Sequence, residues 1–340
     1  MFSLRFNHRQ VTHTLAAGET FLAPRTQGFR DTPAAELQTL VEEIRAGRPW
    51  REAVGARYAA TNPWLHRIIT DPRRTAFFGP VLPAGDGPVL DLGSGWGQIA
   101  RPLAGSRPVV ALEPVAERLA FIEAAARQDG VAARLTCLGA DYFDVGFADR
   151  FAVICAIGVL EWAGTFQGAS DPQERQREFL ARARRDLAPG GSLVLGIENR
   201  IGLKYLLGCP DDHLGVPGIG CLPAAEARAR WREKHGRELH CFTYSLGELD
   251  ALLRGSGFSR IEFFGAFPDY KLPDKIVPLG DDGRELNAWL QSGPLPAEHN
   301  GHDGSALDAR FLEDLAAHYR SLAAEGIARH FAPSFFVRAA

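Results

Sequence analysis

The sequence predicts an α/β protein built on a doubly wound, seven-stranded, mostly parallel sheet of Rossmann-like type. Three observations predict it. An apolar run, Val89-Leu90-Asp91-Leu92, ends in glycines at alternate positions, Gly93, Gly95 and Gly97. Apolar, strand-like runs then alternate with helix-like segments over residues 88–197. One of those runs, Phe151–Ile157, is apolar throughout, as expected of a strand covered on both faces.

Residues 1–80 read as a mainly helical cap or lid. Thr32-Pro33, Asn62-Pro63 and Asp71-Pro72 each set a capping side chain before a proline suited to the first helical position. Leu37, Leu40, Val41 and Ile44 recur at helical spacing, and Trp64, Leu65, Ile68 and Ile69 mark a second apolar face. Residues 81–340 read as the main domain. Its strands are expected at Val89–Leu92, 108–112, 133–138 and Phe151–Ile157. A fifth, 192–197, follows the turn Ala188-Pro189-Gly190-Gly191. A short helix from Gly97 should be kinked or ended by Pro102. A second helix carries Val115, Leu119, Ile122 and Ala126 on one face, and a charged third spans 172–187. Two long insertions, 199–241 and 267–333, break the repeat. Between them Ser245 caps a helix over 246–253, closed by Gly255 and Gly257, and a sixth strand covers 260–264. A helix over 307–324 and a last strand over 334–337 complete the set. Residues 281–305, polar and glycine-rich, read as a mobile loop.

A chain of 340 residues can bury one large core or two smaller ones. Hydrophobic content of 46% and charged content of 23% place it among ordinary globular proteins. A net charge of −3 gives no electrostatic footprint for a nucleic-acid partner. No uninterrupted apolar run of about 18 residues exists, so no transmembrane helix is expected. The opening MFSLRFNHRQVTHT lacks the apolar stretch of a secretory signal. Five cysteines, Cys137, Cys155, Cys209, Cys221 and Cys241, are odd in number and irregular in spacing, which fits reduced thiols and a cytoplasmic location. Cys209, His213, Cys221, His240 and Cys241 contain no C-x-x-C or H-x-x-x-H pair, so no metal is expected.

At the turn, residues without Cβ let the backbone take positive φ and let a ligand come close, and the amides of the following helix start face it. A dinucleotide fingerprint, G-x-G-x-x-G, would need glycine where Gln98 stands, which opposes a nicotinamide-dependent oxidoreductase. An acid two positions before the first glycine, followed by G-x-G-x-G, resembles the class I S-adenosylmethionine-dependent methyltransferases. That resemblance implies S-adenosyl-L-methionine as cofactor, held around Asp91, Gly93, Ser94, Gly95 and Gly97. It also implies a final strand inserted antiparallel between the fifth and sixth. Glu113 falls about twenty residues after Gly93, at the end of the second strand, where a carboxylate accepts from ribose hydroxyls. In the resembling family an acid closing the third strand takes the adenine amino group. Asp141 stands there, and Tyr142 beside it offers a flat face. A solvated loop acid is the alternative for Glu113 and an Asx turn for Asp141. Ile157-Gly158-Val159-Leu160-Glu161-Trp162 ends the fourth strand, where Gly158 should border the methionine half of the cofactor and Glu161 should hold its ammonium group or meet the substrate.

The first insertion carries IENRIGLKYLLG over 197–208 and DDHLG over 211–215. Later come FPDYKLP over 267–273 and PSFF over 333–336. With GVLEW over 158–162, these resemble a bacterial methyltransferase family found alone or fused to glycosyltransferases in surface-polysaccharide loci. The resemblance covers about residue 55 to 340. It implies O-methylation of a sugar hydroxyl in a bacterial glycan or glycan precursor, with glycan-assembly enzymes as partners. The methyl group on a cationic sulfur is already activated, so the protein mostly aligns the acceptor and excludes water. A sugar hydroxyl also needs its proton taken. His213, oriented by Asp212 or Asp211, is the first candidate base and Glu198 the second. Asn199, Asp212, Asp269 and Tyr270 could hold the acceptor. Arg200, Lys204 and Lys271 could hold a phosphate or carboxylate on it. Each could equally brace a long loop. A non-catalytic, cofactor-binding subunit of a polysaccharide assembly complex stays open as an alternative, as does a small-molecule or peptide acceptor.

Overall fold

The computed structural model describes residues 2–23, 27–166, 171–300 and 302–340. They cluster into two units. The first takes residues 1–75, 83–156 and 185–193, and the second takes 76–82, 157–184 and 194–340.

The first unit opens with strands. Leu4, Phe6 and His8 are buried while Ser3, Arg5 and Asn7 are exposed, the period of a half-buried strand. This is β1 (Ser3–His8), which pairs antiparallel with β2 (Val11–Ala16) through a two-residue turn with Arg9 and Gln10 at positive φ. β3 (Thr20–Leu22) follows. The cap is therefore not helical over its whole length. The inward stripe is short and one of its three places is held by a histidine, so apolar pattern alone hides it. Helices come next: α1 (Ala34–Arg45), α2 (Trp50–Tyr58) and α3 (Pro63–Thr70). Asn62 caps α3, its side chain accepting from the Leu65 amide at 3.1 Å ahead of Pro63. Thr32 does not cap α1, which starts without a side-chain cap.

The alternating part contributes β4 (Val89–Leu92), α4 (Ala100–Leu103), β5 (Val109–Leu112), α5 (Ala116–Gln128), β6 (Leu135–Gly139), β7 (Val145–Phe147) and β8 (Phe151–Ile157). The strands lie in the order β8-β4-β5-β6-β3 with parallel pairing, Leu90 facing both Val110 and Ile154. β7 instead pairs with β1. Every residue of β4 and β5 is buried, as expected for parallel strands. The α1 stripe Leu37, Leu40, Val41 and Ile44 packs into one cluster with Trp50, Val54, Tyr58, Trp96 and Phe121. Burying side chains of this size stabilises by about 1.5–3 kcal/mol each. The helices at 34–70 thus share a core with the residues of the glycine turn and α5.

The second unit holds α6 (Pro172–Asp186), which runs directly into β9 (Leu187–Glu198). The strand begins five residues before the expected 192, and residues 187–193 count with the first unit. Then come α7 (Leu203–Leu206), α8 (Ala224–His235), α9 (Leu246–Gly255), β10 (Ile261–Phe267), β11 (Lys275–Pro278), α10 (Arg284–Ser292), α11 (Ala309–Ala324) and β12 (Ser334–Ala339). The order is β9-β12-β10-β11, with β12 antiparallel to β10 and Phe335 opposite Gly265. The final strand therefore sits between the fifth and sixth of the repeat. β3 and β11 are edge strands of their units beyond the seven strands expected, and β10 pairs antiparallel with both β11 and β12. The first insertion is ordered by its own small core, in which Ala227 and Trp231 of α8 meet Ile219, Leu239 and Phe242. Within residues 281–305, expected to be a loop, α10 forms because Leu286 and Leu290 are buried one turn apart. Among the described residues no helix is long and apolar enough to cross a membrane.

Candidate functional site

Two constellations emerge, one in each unit. In the first, β4 delivers the chain into the glycine turn, where Gly93, Gly95 and Gly97 take φ of 61°, 56° and 71°. A Cβ at Gly97 would lie 2.9 Å from Ile122 Cγ1, so this glycine seats the turn against α5. Around Gly95 the nearest atoms to such a Cβ are 3.7 Å away, and the turn is bare. Glu113 ends β5 and is buried. Its carboxylate accepts from the Gly95 amide at 2.8 Å and the Val115 amide at 2.9 Å, with Arg118 at 4.0 Å. Burial pushes its pKa up, opposed by Arg118 and the two amides. The acid thus faces the glycine turn, and carboxylate oxygens can accept more than one hydrogen bond. Asp91 is buried too, its Oδ2 without a hydrogen-bond partner, and burial raises its pKa to about 7. The Ser94 hydroxyl donates to the Asp91 carbonyl at 2.8 Å. A bare turn, an inward acid and an orphaned buried acceptor fit a nucleoside bearing hydroxyls and amines.

Trp96 flanks the turn. Its ring packs against Tyr58 and Phe121, and its Nε1–H donates to Asp31 at 3.0 Å. Asp31 in turn pairs with Arg118 at 2.7 Å. This Asp31–Arg118–Glu113 chain carries no motif that would mark it in the sequence. Asp141 accepts from the Phe143 amide at 2.8 Å, which is an Asx turn. Tyr142 is buried, and its hydroxyl donates to Asp186 at 2.9 Å. Both residues brace the end of β6.

In the second unit Gly158, Glu161, Glu198, His213 and Lys271 come together. A Cβ at Gly158 would lie 2.6 Å from the Tyr270 hydroxyl. Glu161 is fully buried. His213 Nε2 lies 3.3 Å from Glu161 Oε1 and 3.5 Å from Glu198 Oε2. Asp211 accepts from the His213 and Leu214 amides at 2.9 and 2.8 Å, and its carboxylate lies 3.9 Å from His213 Nδ1. Asp212 turns the other way, to Lys271 at 2.8 Å, and Lys271 also donates to Glu198. Asp269 accepts from the Lys271 and Leu272 amides and pairs with His299 at 2.8 Å. Lys204 is buried 3.9 Å from Glu298.

Burial works to lower the pKa of His213, but the Glu198 and Glu161 carboxylates override it and raise the pKa to about 10. The two carboxylates thus favour the protonated imidazole. Burial pushes Glu198 up, opposed by His213 and Lys271. Burial would raise Asp212, yet Lys271 and Lys204 hold it well below the usual carboxylate range. Lys204 and Lys271 are thus engaged by buried acids. Asn199 is likewise engaged: its amide donates to the His330 and Ala332 carbonyls at 2.8 Å and accepts from the Ile201 amide. Arg200 forks onto Glu248 at 2.8 and 3.0 Å and donates to the Cys221 carbonyl. A cavity of about 140 Å³ opens beside His213, lined by Arg200, Asp211, Phe242 and Tyr244 among others. Phe242, Tyr244, Glu298 and His299 had no distinguishing pattern in the sequence.

Residues 90–195 match the methyltransferase domain family. No curated protein matches the chain. Among solved structures, the chain is similar to the CcbJ methyltransferase from Streptomyces caelestis, with 20% identity over 60% of this chain and 89% of that one, TM-score 0.41. It is similar to the N-methyltransferase NodS from Bradyrhizobium japonicum, solved with S-adenosyl-L-homocysteine, at 21% identity over 48% and 74%, TM-score 0.33. It is also similar to Haemonchus contortus phosphoethanolamine N-methyltransferase 2, solved with S-adenosyl-L-methionine, at 15% identity over 88% and 59%, TM-score 0.45. Residues 90–195 are therefore similar to a methyltransferase domain, and the cofactor consistent with that match is S-adenosylmethionine.

Proposed function

We propose that this chain is an S-adenosylmethionine-dependent methyltransferase that methylates a hydroxyl of a bacterial glycan or glycan precursor. The observation that carries the reading is Glu113, buried and turned onto the Gly95 amide at the end of β5. Bound there, S-adenosylmethionine supplies a methyl group on a cationic sulfur, ready for in-line displacement. Glu113 would accept from the ribose hydroxyls, and the buried, unpartnered Asp91 Oδ2 would accept from a further donor of the cofactor. Gly93, Ser94, Gly95 and Gly97 would shape the turn against it. Asp141 and Tyr142 would frame the adenine side.

On the acceptor side, Glu198 paired with His213 is the candidate base. The His213 imidazolium lies beside Glu198, and the Glu198 carboxylate would take the hydroxyl's proton as the methyl group is transferred. The cavity beside His213 combines aromatic and charged walls, which suits a polyhydroxylated ring. Asp212, Asp269, Tyr270 and Lys271 would hold the loops that carry this cluster, with Asn199, Arg200 and Lys204. The glycan acceptor rests on the sequence resemblance, and glycan-assembly enzymes are the partners it implies. The test is transfer from methyl-labelled S-adenosylmethionine to a panel of sugar nucleotides and cell-surface glycans. Label on a sugar oxygen supports the reading. Cofactor binding without transfer to any of them would favour a non-catalytic subunit.

A further inference from the structure

The second unit buries an excess of acid. The carboxyl groups of Glu161, Glu198, Asp212, Asp269 and Glu298 are all buried, against the lysines Lys204 and Lys271. Such an arrangement is costly unless each acid is paired with positive charge or protonated. Lys271 neutralises Asp212 and one oxygen of Glu198, and His299 pairs with Asp269. That leaves Glu161 and the second oxygen of Glu198, with His213 between them. Glu161 Oε2 and Glu198 Oε2 are buried and without a hydrogen-bond partner, and both residues are 2% exposed or less.

One donor atom from each of Glu161, Glu198 and His213 lies within 4.8 Å of the others. The two distances from His213 Nε2 are 3.3 and 3.5 Å. Donors held at about 2.1 Å around one ion sit about 3.0–3.4 Å apart in octahedral or tetrahedral geometry. These atoms need little movement to take an ion. One imidazole and two carboxylates make a three-ligand set that leaves a position open, and they suit a borderline first-row divalent ion. Neighbouring groups hold the ligands: Lys271 fixes Glu198 through its other oxygen, and the Tyr270 hydroxyl lies 3.4 Å from Glu161 Oε1. Asp211 Oδ1 is the acid facing His213 Nδ1.

We infer that Glu161, Glu198 and His213 bind one first-row divalent cation, of the Mn²⁺ or Zn²⁺ class, at a site with an open coordination position. The ion takes the place between the two glutamates that the His213 proton otherwise fills. Binding stands independently of the proposed activity. Its use, lowering the pKa of an acceptor hydroxyl that enters the open position and so standing in for the Glu198–His213 base while the ion is bound, rests on the methyltransferase reading.

The experiment uses the full chain, stripped with a chelator and then titrated with Mn²⁺, whose free form is read by its electron paramagnetic resonance signal. Mn²⁺ is chosen because the free cysteines would draw Zn²⁺. The expected result is one ion per chain, with affinity at least about tenfold weaker in Glu161→Gln and in His213→Asn. Thermal melts confirm that each variant folds, and Glu198→Gln serves if one does not. Absence of binding to folded wild-type protein overturns the site. Binding that is unchanged in the folded variants also overturns it, because the ion then sits elsewhere. Calorimetry with S-adenosylmethionine on the same samples reports separately on the methyltransferase reading.

Discussion

The carboxylate of Glu113 accepts a hydrogen bond from the backbone amide of Gly95 at 2.8 Å, joining the end of β5 to the middle of the glycine turn. This contact orients the acid toward the place where a ribose would lie. Glu113→Gln keeps the shape and removes the charge. Hydrogen bonds to a charged group contribute about 1.5–3 kcal/mol, so affinity for S-adenosylmethionine should fall roughly ten- to a hundredfold. Calorimetric titration of the variant, with a melt to show that it is folded, checks this. Unchanged affinity would remove Glu113 from the cofactor site.

The glycines of the turn should differ in what they tolerate. Alanine at Gly95 makes only ordinary contact, with Gln98 at 3.7 Å, so its cost is that of a left-handed L residue, about 1–2 kcal/mol. Alanine at Gly97 meets Ile122 at 2.9 Å as well, and overpacking adds about 1–3 kcal/mol. Chemical denaturation should rank Gly97→Ala below Gly95→Ala in stability. The reverse order would contradict the packing described for α5.

Tyr142 separates bracing from cofactor contact. Tyr142→Phe removes the donor to Asp186, which keeps Arg185 at 3.3 Å, so stability should fall by about 1 kcal/mol, the low end for a buried hydrogen bond. If the ring flanks adenine, the phenyl group still serves and S-adenosylmethionine affinity is unchanged. Tyr142→Ala should then weaken binding. Should Tyr142→Ala bind as wild type, the ring plays no part in the site.

Much of this was legible in the chain and some was not, for physical reasons. The turn from β4 is local: strand, glycines and helix start are adjacent in sequence, and Glu113 follows at a spacing set by one helix and one strand. β8 announces itself by an unbroken apolar run. The inward face of β1 is only Leu4, Phe6 and His8, too short and too polar to stand out. α10 was hidden because two leucines in a polar, glycine-rich stretch are a faint stripe. The acid cluster is least legible. Glu161, Glu198, His213 and Lys271 come from four separated segments, and only tertiary folding fixes which acid meets which cation. Thus of Asp212 and Asp211, both expected as partners of His213, Asp211 lies beside the imidazole and Asp212 turns to Lys271.

His213 makes stability depend on pH with a definite sign. Its folded pKa, raised to about 10, exceeds the ordinary value of 6.5. Between these values the folded chain binds a proton that the unfolded chain does not, so stability falls as pH rises. The contribution is complete below pH 6.5 and lost as pH passes through about 10. Glu298, which burial pushes up to about 8, acts in the same direction from its ordinary 4.5 upward. Melting temperature should decline from pH 6.5 to 9.5, and His213→Asn should flatten the decline. A melting temperature that rises over this range would contradict the assigned proton.

On the proposed reading, the glycine turn and Glu113 hold a sulfonium nucleoside. The most direct measurement is calorimetric titration of wild-type protein with S-adenosylmethionine, and with a nicotinamide dinucleotide as comparison. A saturable heat for one S-adenosylmethionine per chain, with none for the dinucleotide, is the predicted result. No heat with S-adenosylmethionine, or binding of the dinucleotide in its place, would contradict it.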